Sequence, residues 1–128
     1  MSNYQTLHID IGAARAELHD ALALSATEVS LNNLPAGCSI PFVHAHTHNE
    51  ELYIVLAGRG LFFVDGEEFG ISQGDCIRVD PKAQRCLKAE DDCTLRYLCI
   101  QAKATSLEGF TAADAVISED FAKPSWLK

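Results

Sequence analysis

Three histidines and two glutamates crowd the segment His44-Ala45-His46-Thr47-His48-Asn49-Glu50-Glu51, directly ahead of the apolar run Leu52 to Leu56. Imidazole nitrogen and carboxylate oxygen are good ligands for first-row divalent metals, and two imidazoles with one carboxylate leave coordination positions open for water and a substrate. Side chains of a strand alternate between faces, so His44, His46 and His48 are expected to project to one side. Such a set could activate oxygen, polarise a carbonyl as a Lewis acid or orient a substrate oxygen, with iron, manganese, nickel or zinc as the candidate ion. Glu50 has the opposite parity from Glu51 and is expected outside. Tyr53 shares Glu51's parity, so it either lines the same pocket or fills the core.

The elements that must position these groups are mostly strands. From Thr27 onward the chain runs through TEVSLNNL, SIPFV, ELYIVLAG, LFFVDG, EEFGI, CIRVD, RCLKA and TLRYLCIQA, short β-branched or aromatic segments divided by turn residues. Asp65-Gly66 is a two-residue hairpin signal, and Pro35-Ala36-Gly37 and Ser72-Gln73-Gly74-Asp75 form turns. The pattern predicts an all-β antiparallel sandwich or barrel. Ahead of it, Tyr4 to Asp10 reads as a short strand. Ala14, Leu18 and Leu22 lie at helical spacing within residues 13–24, which predicts a short amphipathic helix entered at Gly12. Both faces of Glu51 to Leu56 are apolar, so the outer face needs a cover, supplied by a sheet, the helix or another subunit. After Lys103 the tail keeps Leu107, Phe110, Val116, Ile117, Phe121, Trp126 and Leu127. That is too apolar for a free acidic tail, and it is expected to dock on the barrel or on a partner chain.

On these residues the chain resembles the cupin superfamily. His44-Ala45-His46, four intervening residues, Glu51, six more and Gly58 match that family's first motif; Gly37 stands one residue too far upstream for its leading glycine. The resemblance implies a jelly-roll barrel, a double-stranded β-helix, in one domain over 1–128, with a core at about 27–102, an N-terminal strand and helix within 4–24 and a partly irregular tail at 103–128. It also implies a metal held by His44, His46 and Glu51, and, as cupins are often dimers, a homodimer. The second motif is only partly kept. Counted without gaps from Gly74, the family's third histidine falls on Arg85; a one-residue slip that aligns Pro81 with the family proline puts Cys86 there instead. Arg85, Leu87 and Ala89 share one strand face, and Gln84, Cys86, Lys88 and Glu90 the more polar other, which points Leu87 and Arg85 inward.

An inward Arg85 beside the histidines could grip a carboxylate or phosphate bidentately, or form a structural ion pair with Glu51. A positive charge there also disfavours a cation. Two functions are therefore expected: a metal-dependent cupin acting on a small anionic or sugar-like molecule by isomerase, lyase or dioxygenase chemistry, or a metal-free module that binds a small acid through Arg85. His48 is a reserve ligand at the rim, while His8 and His19 read as surface residues. No general acid or base is assigned. The net charge of −8 and pI near 4.9 exclude a nucleic-acid or anionic-membrane surface, which would need clustered Lys and Arg. The start MSNYQTLHIDIG lacks a basic and an apolar leader region, and no apolar run of about 18 residues occurs, so a cytoplasmic protein is expected. Five cysteines with no C-x-x-C pair read as reduced thiols rather than a disulfide framework or zinc ribbon.

Overall fold

Alternating inward residues pull two antiparallel sheets face to face. The computed structural model describes residues 3–119 and 123–127. Its strands are β1 (Arg15–Glu17), β2 (Glu28–Leu34), β3 (Asn49–Ala57), β4 (Arg59–Val64), β5 (Glu67–Ser72), β6 (Cys76–Val79), β7 (Arg85–Ala89) and β8 (Leu95–Lys103). One sheet has the order β1-β2-β8-β3-β6 and the other β5-β4-β7. This is the expected all-β jelly roll. Glu51, Tyr53 and Val55 of β3, Arg85, Leu87 and Ala89 of β7, and Leu95, Tyr97 and Cys99 of β8 form the buried rows. Phe62 of β4 is fully buried at the centre and meets Tyr53 edge to face at 4.9 Å between ring centroids. Burying such a side chain stabilises the fold by about 1.5–3 kcal/mol.

Turn chemistry fixes the register that aims these rows. Asp65 and Gly66 both have positive φ, 48° and 89°, and close the β4–β5 hairpin with the backbone that matches strand twist. Gly58 follows an irregularity in the β3–β8 ladder between Val55 and Ala57. Its φ is 83°, and a Cβ there would collide with the Thr94 carbonyl. Only glycine fits, which accounts for the residue that closes the sequence motif.

Four expectations need correction. Tyr4 to Asp10 forms no strand. The helix expected over 13–24 shrinks to one turn, α1 (His19–Leu22), closed by Ala23 in the left-handed region. The residues before it join the sheet, with Arg15, Ala16 and Glu17 opposite Asn32, Leu31 and Ser30 of β2. A dozen residues form a marginal helix by themselves, whereas the edge of β2 offers backbone partners already in place. SIPFV is not a strand either. Its ladder to β7 is reduced to isolated bridges, Ser39 to Lys88 and, just beyond the segment, His44 to Arg85, and Pro41 between them lacks an N–H for a continuous ladder. Lastly, of the two covers expected for the tail, the barrel does not bury its described apolar side chains, which leaves a partner chain. Leu107, Phe110, Val116, Ile117 and Trp126 are all at least 73% exposed; Phe121 lies outside the described residues. On the outer face of β3, Leu52 and Ile54 are half-buried and Leu56 is exposed. Among the described residues no helix is long and apolar enough to cross a membrane.

Candidate metal and ligand site

Glu51 is the hub of the inner wall. It is only 3% exposed, and a bare buried carboxylate would be costly. Four neighbours surround it. Arg85 Nη1 donates to Oε1 at 2.8 Å and the Tyr53 hydroxyl donates to the same oxygen at 2.6 Å. On Oε2, the Cys99 thiol donates at 3.3 Å and His46 Nε2 lies at 3.1 Å. Burial alone would raise the Glu51 pKa, but the hydrogen bonds from Tyr53 and Cys99, with the charges of His46 and Arg85, bring it below the ordinary value. Glu51 is therefore an anion at neutral pH. The same contacts act oppositely on the donors: burial and the Glu51 charge push the Cys99 thiol up to about 12, and burial likewise raises Tyr53.

The histidines reach this carboxylate from an irregular segment, not from the strand. β3 begins only at Asn49, and residues 43–48 are held to β7 and the preceding turn by backbone bonds. His44 N donates to Arg85 O at 3.1 Å, Arg85 N to His44 O at 2.9 Å and His46 N to Pro81 O at 2.7 Å. This stitching turns the rings of His44 and His46 toward each other, nearly perpendicular with centroids 5.3 Å apart. One ligand atom from each of His44, His46 and Glu51 then lies within 4.8 Å of the others. Burial, opposed by the Glu51 charge, lowers the His44 pKa, so its ring is neutral at pH 7. Its Nδ1 is buried without a hydrogen-bond partner. Two imidazoles, one with an unsatisfied buried nitrogen, and an ionised carboxylate fit a divalent ion.

With that geometry established, the comparisons with known proteins are specific. A family model described as "Cupin domain" matches residues 31–101, more than half of the chain. The chain belongs to the cupin family. It resembles the crystal structure of a cupin protein from Bacteroides fragilis at 47% identity and a TM-score of 0.89, over 93% of this chain and 100% of that one. A sugar phosphate isomerase from a cupin superfamily, from Silicibacter pomeroyi, is 23% identical with a TM-score of 0.61, over 71% of this chain and 60% of that one, a likeness of fold alone. An uncharacterized protein of Methanocaldococcus jannaschii is 36% identical over 66 residues, 52% of each chain. The chain therefore spans about half the length of that relative.

Arg85 is where this cupin departs from the family motif. Its guanidinium is fully buried, with Nη1 on Glu51 and Nη2 donating to the carbonyls of Asp80 at 2.6 Å and Pro81 at 3.1 Å. Cys86 is on the opposite face and donates to Ile40 O, so of the two residues Arg85 is the one that faces inward. The pairing of Arg85 with Glu51 leaves only its Nε without a partner.

A cavity of about 340 Å³ opens beside the triad, lined by His44, His46, Glu51 and Tyr53 and walled by Ile40, Phe42, Leu87 and Tyr97. Its size is at the lower end for small-molecule sites. Another hollow, about 250 Å³ on the outer side of β4 and β7, is walled mainly by Leu61, Phe63 and Val43 and includes none of the three candidate ligands. Of the residues singled out in the sequence, His48 is exposed at the entry to β3 and does not line the triad's cavity. Three residues that the sequence did not single out do line it, namely Arg15, Cys99 and Gln101. Cys99 and Gln101 could have been found by face parity, since they alternate with Tyr97 along β8. Arg15 had no such signal.

Proposed function

We propose that this cupin holds a divalent metal ion through His44, His46 and Glu51 and binds a small anionic or sugar-like molecule in the cavity beside them. The observation that carries this reading is the convergence of two imidazoles and one ionised carboxylate within 4.8 Å at the wall of a cavity. Zinc, iron, manganese and nickel all suit that donor set. A bound ion would act there as a Lewis acid or as an anchor for a substrate oxygen. Isomerase, lyase and dioxygenase chemistry are each compatible with such a centre. The chain's own residues prepare it: Tyr53 and Arg85 fix the Glu51 rotamer and His44 stays neutral. Protein purified without a chelating tag is expected to carry stoichiometric metal that the double substitution His44→Ala, His46→Ala removes. Metal retained by the double variant would refute the assignment.

One observation favours a second, metal-free reading. Arg85 sets a permanent cation 2.8 Å from Glu51 and so supplies charge compensation that a metal would otherwise provide. In that reading the cavity binds a small acid without a metal; Arg85, expected to grip the acid, is fully buried and does not line the cavity, and it serves by neutralising Glu51. Ligand-induced thermal stabilisation that survives chelator supports it; loss on chelation refutes it. A cytoplasmic homodimer, with the exposed apolar face of β3 against a second subunit, belongs to both readings. Light scattering on a sizing column tests the dimer.

A further inference from the structure

Arg85 cannot grip an incoming anion while its guanidinium is engaged by Glu51 and two carbonyls, so a ligand's negative charge needs another partner in the cavity. β1 places one there. Arg15 pairs in register with Asn32, and Asn32 pairs with Tyr97, whose side chain points into the barrel. Arg15 therefore stands on the inner face of the sheet and lines the cavity together with His44, His46 and Gln101. Its guanidinium is aimed rather than loose: Nη1 donates to Asn32 Oδ1 and Nε to Glu17 Oε1, both at 2.8 Å. Asn32 is only 5% exposed and is itself steadied by a bond to Ser30 Oγ at 3.0 Å. Nη2 of Arg15 makes no hydrogen bond among the described residues, and the side chain, which lines the cavity, is 49% exposed, so the guanidinium keeps donor capacity for a ligand.

We infer that the cavity takes a small carboxylate or phosphate whose anionic group is held by Arg15 while its other end meets His44 and His46. Guanidinium offers a planar set of donors that suits both oxyanions. Between the two ends, Ile40, Phe42 and Leu87 provide an apolar wall for a short carbon body. Glu17 is the built-in competitor, because its carboxylate already occupies one edge of the guanidinium. The inference rests on the cavity being the ligand site, as proposed above, and does not depend on the metal.

The test is thermal unfolding of the protein, with and without chelator, titrated with inorganic phosphate and with malonate. Wild type should show a saturable rise in melting temperature. Arg15→Ala should weaken the apparent affinity about tenfold or more, the effect of losing one charged hydrogen bond. Arg15→Lys should recover part of it. Glu17→Gln should tighten binding, a change of opposite sign that a merely structural role for the pair would not produce. Arg59→Ala, at an exposed arginine paired with Asp92, should bind like wild type. The ligand-free melting temperature reports whether Arg15→Ala still folds; a pair this exposed contributes little to stability. No saturable shift in wild type, or unchanged affinity in Arg15→Ala and Glu17→Gln, would overturn the inference. Arg15-dependent anion binding in protein that takes up no metal would refute the metal proposal and leave this one standing. Metal uptake lost in His44→Ala, His46→Ala, with anion binding indifferent to Arg15, would do the reverse.

Discussion

The two sides of the cavity are built on different terms. On the Glu51 side, the strands β3, β7 and β8 bury a carboxylate, a guanidinium, a phenol and a thiol whose hydrogen bonds close on one another. On the other side, the segment with His44 and the edge strand with Arg15 present groups with unused capacity: a buried imidazole nitrogen without a partner, and a cavity-lining guanidinium whose Nη2 makes no hydrogen bond among the described residues. The first side is mainly scaffold, with Glu51 also a candidate ligand, and the second keeps its donors unspent. Polar residues lining one pocket thus divide into those that hold the site together and those that bind, and burial with hydrogen-bond satisfaction tells them apart.

Substitutions can break that contrast. The largest effect is expected for Arg85→Ala, which strands the buried Glu51 anion and the carbonyls of Asp80 and Pro81; urea unfolding should show a loss of about 3–5 kcal/mol. A loss under about 1 kcal/mol would mean that the inner side is not scaffold. Arg85→His comes next. It restores the histidine of the family motif and removes the competing cation, so metal affinity measured by calorimetric titration should rise about tenfold or more, at some cost in stability. His44→Ala should alter unfolding free energy by less than about 1 kcal/mol, because its ring is partly exposed and its Nδ1 bonds nothing.

The smallest effect concerns Cys99. Its folded-state pKa of about 12 lies above that of an ordinary thiol. The neutral thiol's contribution to stability is thus fully present below about pH 8.5 and is lost as pH rises through about 12. Iodoacetamide at about pH 8.5 should label the exposed Cys38 and Cys76 first and leave Cys99 unmodified. Equal labelling would show that the inner side opens to solvent.

The histidine segment and the inner strands were legible in the sequence, and the edge strand was not. The spacing of His44, His46 and Glu51 picked out three residues whose ligand atoms the fold brings within 4.8 Å, and the alternation around Leu87 pointed Arg85 inward; even its pairing with Glu51 was a foreseeable outcome for two opposite charges in one barrel. Arg15 was not legible, because Ala14, Leu18 and Leu22 carry a helical period. What overrides that period is pairing with β2, whose Asn32 lies 17 residues away. Local pattern cannot register such a contact. His48 lies exposed at the rim, because strand parity does not extend ahead of Asn49, where β3 begins. The tail shows what composition leaves open: its described apolar residues are exposed on the single chain, and composition does not say whether a partner chain covers them.

The central claim is that His44, His46 and Glu51 form a metal centre, and elemental analysis tests it most directly. Untagged protein, loaded in turn with zinc, iron(II), manganese or nickel and then desalted, should retain about one ion per chain of at least one of them. The His44→Ala, His46→Ala variant, folded by circular dichroism, should retain essentially none. Metal held equally by both proteins, or by neither, would contradict the account.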